Sequence, residues 1–139
     1  MAYWLFKEEP THYNFADLQR DGTTLWDGVS NNLAQKNLRQ VRSGDRILYY
    51  HTGSEKAVVG EMRAVGDPVA DPDGERAQTV AVKVEVVRRL QYPVSLARIK
   101  GDPVLAGWDL VRLPRLSVVP VSGEQWRRVE KMSRDGMTG

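Results

Sequence analysis

Leu25-Trp26-Asp27-Gly28-Val29-Ser30-Asn31-Asn32 decides how the rest of the chain is organised. It sets an indole, a carboxylate, a glycine and two amides in one connection between two helical patterns. Trp26 is costly to leave in water, and Gly28 permits a positive φ or a close backbone approach. Asn31 or Asn32 can cap the helix that follows. An aromatic plane joined to several polar groups suits a flat ligand. It equally suits a well-capped turn with one tryptophan plugged into the core. In the first case part of the Trp26 face is exposed in the free protein. In the second, Trp26→Ala opens a cavity costing about 3–5 kcal/mol. Both readings stay open on these residues alone, and the pocket outcome is the one expected: a modest fall in Tm for Trp26→Ala with loss of ligand binding, and partial binding for Trp26→Phe.

Upstream, Tyr3 to Lys7 reads as a short buried strand, broken at Glu9-Pro10-Thr11 because proline removes a ladder donor. Asn14 looks like an N-cap with Asp17 three residues on, and Phe15 and Leu18 share one face of a short helix ending near Asp21-Gly22. Downstream, Leu33, Ala34, Leu38 and Val41 fall on one helical face, with Gln35, Lys36, Arg39 and Gln40 on the other. Arg46 to His51 and Ala57 to Val65 read as a hairpin around Thr52-Gly53-Ser54-Glu55-Lys56. Gly66 to Ala77 is a surface loop, and Thr79 to Leu90 alternates as a half-exposed strand with Val80, Val82, Val84 and Val86 on one face.

Ser95 to Lys100 suggests a short helix, and Val104 to Leu113 carries no decisive pattern. Leu116 to Val121 is a strand at an edge or terminus, given Pro120. Ser122 and Gln125 make a capping box for a last helix that carries Trp126, Val129 and Met132 on one face. Met137 to Gly139 is expected to fray. Strands do not alternate regularly with long helices, so a doubly wound sheet is disfavoured. About five strands in a small, bent or barrel-like sheet with peripheral helices fit better.

The 139 residues favour one domain, and 41% hydrophobic with 27% charged residues is ordinary for a globular protein. The absence of cysteine excludes disulfides and thiolate metal sites. With no secretory leader, transit peptide or long apolar run, a cytoplasmic location is expected, or a nuclear one in a eukaryote, with no membrane partner. The balance of 20 basic and 18 acidic residues, +2, permits nucleic-acid binding without predicting it.

Enzyme motifs are missing. His12 and His51 have no metal-ligand spacing, and no nucleophile elbow or glycine-rich phosphate loop occurs. Binding features are richer. Trp4, Trp26, Tyr49 and Tyr50 cluster in the first half, where a base can stack for about 1–3 kcal/mol. Trp4, among apolar neighbours, reads as core. His51 is either a site residue or a strand-end side chain bonded to backbone, and Lys7 either faces a pocket or snorkels out. Arg112 and Arg115 are candidates for phosphate contacts. The face with Arg127, Arg128, Lys131 and Arg134 reads as solvated.

Several segments together suggest a family. Tyr3-Trp4-Leu5-Phe6-Lys7-Glu8-Glu9-Pro10 resembles the opening of EVE domains, where a Trp-Leu strand runs into Lys-Ser-Glu-Pro. Trp26-Asp27-Gly28-Val29 with Asn31 resembles their most characteristic segment. Tyr50-His51 resembles their Tyr-His strand end, Val59-Gly60 their next strand, and Leu113-Pro114-Arg115-Leu116-Ser117-Val118 with Pro120 their Arg-Leu-Ser strand. Glu8 stands where many members have serine, and Asn32-Leu33-Ala34-Gln35-Lys36 where many read Tyr-Gln-Ala-Arg-Asn.

The resemblance implies an α+β fold, a PUA-like mixed β pseudo-barrel with peripheral helices related to YTH and ASCH domains, filling the chain as one domain. It implies a monomeric, non-catalytic module that takes one modified nucleobase into an aromatic pocket. Modified cytosine in DNA is favoured over RNA. Trp26 would supply a stacking plane, and Asp27, Asn31 or the backbone of Gly28, Val29 and Ser30 the edge contacts. Lys7, His51 and Ser117 would border the pocket, with Glu8, Tyr50, Thr52, Arg115 and Leu116 completing the ligand-binding set. No catalytic residue, metal or cofactor is expected. The alternatives are an RNA-binding module, a nucleotide-processing enzyme with His51 or Glu9 as general base, and a small-molecule or peptide sensor.

Overall fold

Tyr3–Glu8 forms β1, whose apolar centre is buried on both faces, as its run of Trp, Leu and Phe predicts. The computed structural model describes residues 1–74 and 78–136. β1 leads to α1 (Phe15–Asp21), β2 (Thr23–Trp26), α2 (Asn32–Leu38), β3 (Arg46–His51) and β4 (Ala57–Ala64). Then come β5 (Val69–Ala70), β6 (Val80–Ser95), α3 (Leu96–Lys100), α4 (Asp109–Arg112), β7 (Val118–Val121) and α5 (Gly123–Asp135).

The capping signals act as the sequence suggests. Asn14 and Asp17 close a capping box on α1, and Ser122 and Gln125 close one on α5. Asn31 rather than Asn32 caps α2, accepting from the Ala34 N–H, and Ser95 caps α3. α5 buries Trp126, Val129 and Met132. Among the described residues no helix is long and apolar enough to cross a membrane.

Seven strands form one mixed sheet in the order β2-β6-β4-β3-β1-β7, with β5 paired to β6. β1 and β3 are parallel, and the other pairings are antiparallel. β3 and β4 make the expected hairpin. The strand count exceeds the expected five through two short members. β2 has four residues and takes in Trp26, which therefore ends an edge strand paired to Val82 instead of sitting in a free loop. β5 has two residues, inside the segment read as a surface loop. Residues 75–77 of that loop, and the Met137–Gly139 end expected to fray, lie outside the described residues. β7 starts at Val118 and pairs only with β1, an edge position that accommodates Pro120. The unassigned 104–113 stretch holds α4, beside which Trp108 donates its indole N–H to Pro120 O at 2.9 Å.

The fold is α+β, but the sheet does not close into the expected barrel: β2 and β7 remain separate edges. α2 lies against both β6 and β7. Gln35 donates to Val80 O at 3.2 Å and accepts from Val80 N at 2.9 Å, while Asn37 donates to Val118 O at 2.8 Å. The helix thus offers side-chain amides where a missing strand would offer backbone. This corrects the expected helical faces. Gln35, assigned to the polar side, is 2% exposed, and Leu33, assigned to the apolar side, is 43% exposed. A buried amide costs little when its donors and acceptor are all matched.

One face of the sheet centres on four rings. Trp26 packs 5.5 Å from Phe6 and 5.3 Å from Tyr49, and Phe15 meets Tyr49 edge-on at 5.4 Å. On the other, Tyr3 stacks on Trp126 at 4.8 Å, with the Arg46 guanidinium over the indole. Arg46 and Arg88 together satisfy Glu61, a carboxylate only 2% exposed.

Candidate functional site

The connection after β2 is held at several points. Gly28 has φ +71°, and its N–H donates to the Asp71 carboxylate at 3.0 Å. The other Asp71 oxygen accepts from Asp73 N at 2.9 Å, an Asx-turn arrangement. Val29 O accepts from Gln35 Nε2 at 2.6 Å, and Asn31 Oδ1 accepts from Ala34 N at 3.0 Å. The loop is therefore built before any ligand arrives.

Trp26 is not an open platform. It is 5% exposed, so the partly exposed face expected for a pocket residue is covered by Phe6 and Tyr49. One margin of the ring borders a recess of about 120 Å³ shared with Glu8, His12, Tyr13, Thr24, Leu25 and Asp27. A second recess, about 310 Å³, runs along Gly28, Val29, Ser30 and the Asp71–Gly74 turn. A third, about 300 Å³, lies between Asn31, Leu33 and residues 112–116.

The candidate residues do not all gather in one place, because successive residues of a strand face opposite ways. Lys7 and Tyr50, paired across β1 and β3, share one face, with the ammonium 5.7 Å from the Tyr50 ring. Lys7 Nζ donates to Pro114 O at 2.9 Å, and its backbone N–H to Ser117 O at 2.9 Å. Burial lowers the Lys7 pKa below its ordinary value. These bonds tie the 114–117 segment to the end of β1.

Glu8 and His51 belong to the face that carries Trp26. Glu8 Oε1 accepts from Glu9 N at 2.9 Å and lies 3.3 Å from His12 Nδ1. His51 Nε2 accepts from Phe15 N at 3.0 Å, so Nδ1 carries the proton it shares with Glu55 at 2.7 Å. Both ring nitrogens are engaged. Thr52 donates its N–H to Glu8 O at 3.0 Å and its hydroxyl to Glu9 at 3.1 Å.

Glu8, Trp26 and Asp27 thus share the first recess, Gly28, Val29 and Ser30 the second, and Asn31, Arg115 and Leu116 the third. Lys7, Tyr50 and Ser117 lie behind the strand end, and His51 and Thr52 brace the neighbouring turns. The sequence reading missed His12 and Tyr13 as lining residues. It also missed Asp71, whose only signal is the turn-forming run Asp71-Pro72-Asp73-Gly74. Asp27, Asp71 and Asp73 bring carboxylate oxygens within 4.8 Å of one another, which makes this side of the loop strongly acidic.

The curled open sheet, with a helix across its seam and recesses around one tryptophan-bearing loop, is that of a PUA-like module. The chain belongs to the EVE domain family, whose family model matches residues 2–132. Rat thymocyte nuclear protein 1 is 30% identical over 89% of this chain and 70% of its own length. The solution structure of Rpa0253 from Rhodopseudomonas palustris superposes with a TM-score of 0.91 at 35% identity, covering 96% of this chain and 94% of that one. The crystal structure of human THYN1 with 5-methylcytosine-containing DNA has a TM-score of 0.86 at 25% identity, covering 96% and 98%.

Proposed function

We propose that this chain is a non-catalytic reader of a modified base, with modified cytosine in DNA as its ligand. The observation that carries the reading is one recess in which the Trp26 margin meets the Glu8 and Asp27 carboxylates. Cytosine presents an N4 amine that a carboxylate accepts, whereas thymine presents an O4 acceptor that a carboxylate repels. The ligand base leaves its stack to enter the recess, at a cost that is least when the base is mismatched or already single-stranded. Selectivity then comes from the edge contacts and from apolar contact with the added methyl group. The human relative solved with 5-methylcytosine-containing DNA supports the same ligand class.

The enzyme alternative is disfavoured at both of its candidate bases: the nitrogens of His51 are committed to Phe15 N and Glu55, and the Glu9 carboxylate accepts from the Thr52 hydroxyl at 3.1 Å. The test is a fluorescence-anisotropy titration at fixed salt against oligonucleotides identical except for 5-methylcytosine, cytosine or thymine at one position. Tightest binding to 5-methylcytosine, with Asp27→Asn narrowing the margin over thymine, is the expected result. Equal affinity for all three would end the reading.

A further inference from the structure

The recess between α2 and the 112–116 segment shares Asn31 with the Trp26 loop but is chemically unlike it. Its walls are apolar: Leu33, Pro114 and the buried Leu116. Leu33 is one of the few large hydrophobic side chains left exposed, and it stands in the first turn of a short helix where a polar residue is the ordinary choice. The rim carries two guanidinium groups. Arg112 is paired to Asp109 at 2.8 Å, whereas Arg115 makes no ion pair or hydrogen bond with any described residue.

The groove is also rigid. Its wall is anchored by the Lys7 ammonium on Pro114 O, by Lys7 N on Ser117 O, and by Leu116 N on Leu113 O at 3.0 Å. Its α2 side is fixed by the Asn31 cap and by the Asn37 bond to Val118 O. An apolar floor flanked by a cation with no ion pair among the described residues suits a chain whose flat or sugar faces are apolar and whose links are anionic.

We propose that this groove is the track for the nucleotide adjacent to the base being read, its sugar and base lying on Leu33, Pro114 and Leu116 and its phosphate on Arg115. The assignment rests on the reader function above. It commits to a nucleic-acid strand because Asn31 makes the groove continuous with the Trp26 loop. The opposite flank of that loop, with Asp27, Asp71 and Asp73, repels a backbone phosphate. The strand therefore leaves the reading loop on the arginine side. Sequence preference along the track is weak, because stacking and apolar contact tolerate any base.

The test uses Leu33→Glu and Arg115→Ala, both at exposed positions, with folding checked by thermal melts. Affinity is measured for a modified oligonucleotide, its unmodified counterpart, and the free mononucleotide 5-methyl-dCMP, over a range of salt. Arg115→Ala is expected to reduce the slope of log affinity against log salt by about 0.7–0.9, the loss of one phosphate contact. Leu33→Glu is expected to weaken both oligonucleotides several-fold and equally, leaving their ratio and the mononucleotide affinity unchanged. Wild-type oligonucleotide affinity and salt slope in both variants, with the preference for the modified base intact, would overturn the track and spare the reader. No preference in the wild-type protein, with oligonucleotide binding still lowered in both variants, would end the reader and leave the track standing. Leu33→Glu dissolving a concentration-dependent dimer without changing DNA affinity would assign the groove to a second copy of the chain and overturn the proposal.

Discussion

Gly60→Ala tests how tightly the ring cluster behind the site is built. Gly60 lies on β4 opposite Tyr49, beside a register shift in the β3–β4 ladder. A Cβ added there would stand 2.3 Å from Phe15 Cε1 and Cζ and 2.7 Å from Cδ1, well inside van der Waals contact. Phe15 has little room to yield. It is fully buried, edge-on to Tyr49, and the Arg89 guanidinium lies 5.3 Å from its ring. Its backbone N–H is fixed to His51 Nε2, so moving the ring means moving the first turn of α1. Overpacking of this kind costs about 1–3 kcal/mol. For a domain of this size that lowers Tm by about 3–15 °C.

Thermal and urea denaturation of Gly60→Ala, Phe15→Leu and the double variant form a cycle. The two changes are expected to be coupled by about 1 kcal/mol or more, because the smaller side chain makes room for the new methyl. An unchanged Tm in Gly60→Ala, or strictly additive losses in the double variant, would refute the packing argument.

Trp26→Ala should lower stability by about 3–5 kcal/mol, because the indole is buried on Phe6 and Tyr49. Trp26→Phe should cost much less and so is the variant suited to binding assays; calorimetric melts of the two check this. Glu61→Ala removes the carboxylate shared by Arg46 and Arg88, which stay partly exposed and keep Glu130, so it should cost about 1–3 kcal/mol and lower the urea midpoint at constant m-value. Burial pushes the Tyr50 phenol up to about 12 and the Tyr49 phenol further, from an ordinary value of 10.0. In the unfolded chain both ionise near that ordinary value, so above it the fold holds protons that the unfolded chain has lost. Their stabilising contribution is complete below pH 10.0 and falls as pH rises toward about 12, and Tyr50→Phe should flatten the decline in alkaline urea melts.

Local chemistry was legible and distant pairing was not. Capping boxes, the β3–β4 hairpin and the apolar stripe of α5 are written within a few residues of one another, and the structure has them all. Gln35 and Leu33 misled because the burial of Gln35 depends on Val80, 45 residues away, whose backbone an amide can match. β2 escaped because four residues next to a glycine give too short an alternation to separate from a loop. The EVE segments single out the Trp26 loop, and they set Lys7 beside Glu8 and Tyr50 beside His51. The two-residue period of a strand sends each pair to opposite faces, which divides the candidate set among separate recesses. Asp71 shows in the sequence only as part of a turn-forming run; its hold on Gly28, 43 positions away, is set by the fold.

The most direct test of the reader function is the indole region of a ¹⁵N–¹H correlation spectrum. The chain has 4 tryptophans, so its side chains give four resonances there, and Trp26→Phe assigns the one that disappears. The Trp26 ring borders the recess, so a base entering it changes the surroundings of the indole. Addition of a 5-methylcytosine oligonucleotide should move this resonance, while those of the core residues Trp4, Trp108 and Trp126 stay in place. The unmodified oligonucleotide should move it far less at the same concentration. A Trp26 resonance that does not move under saturating modified DNA, or that moves equally with both oligonucleotides, would contradict the assignment.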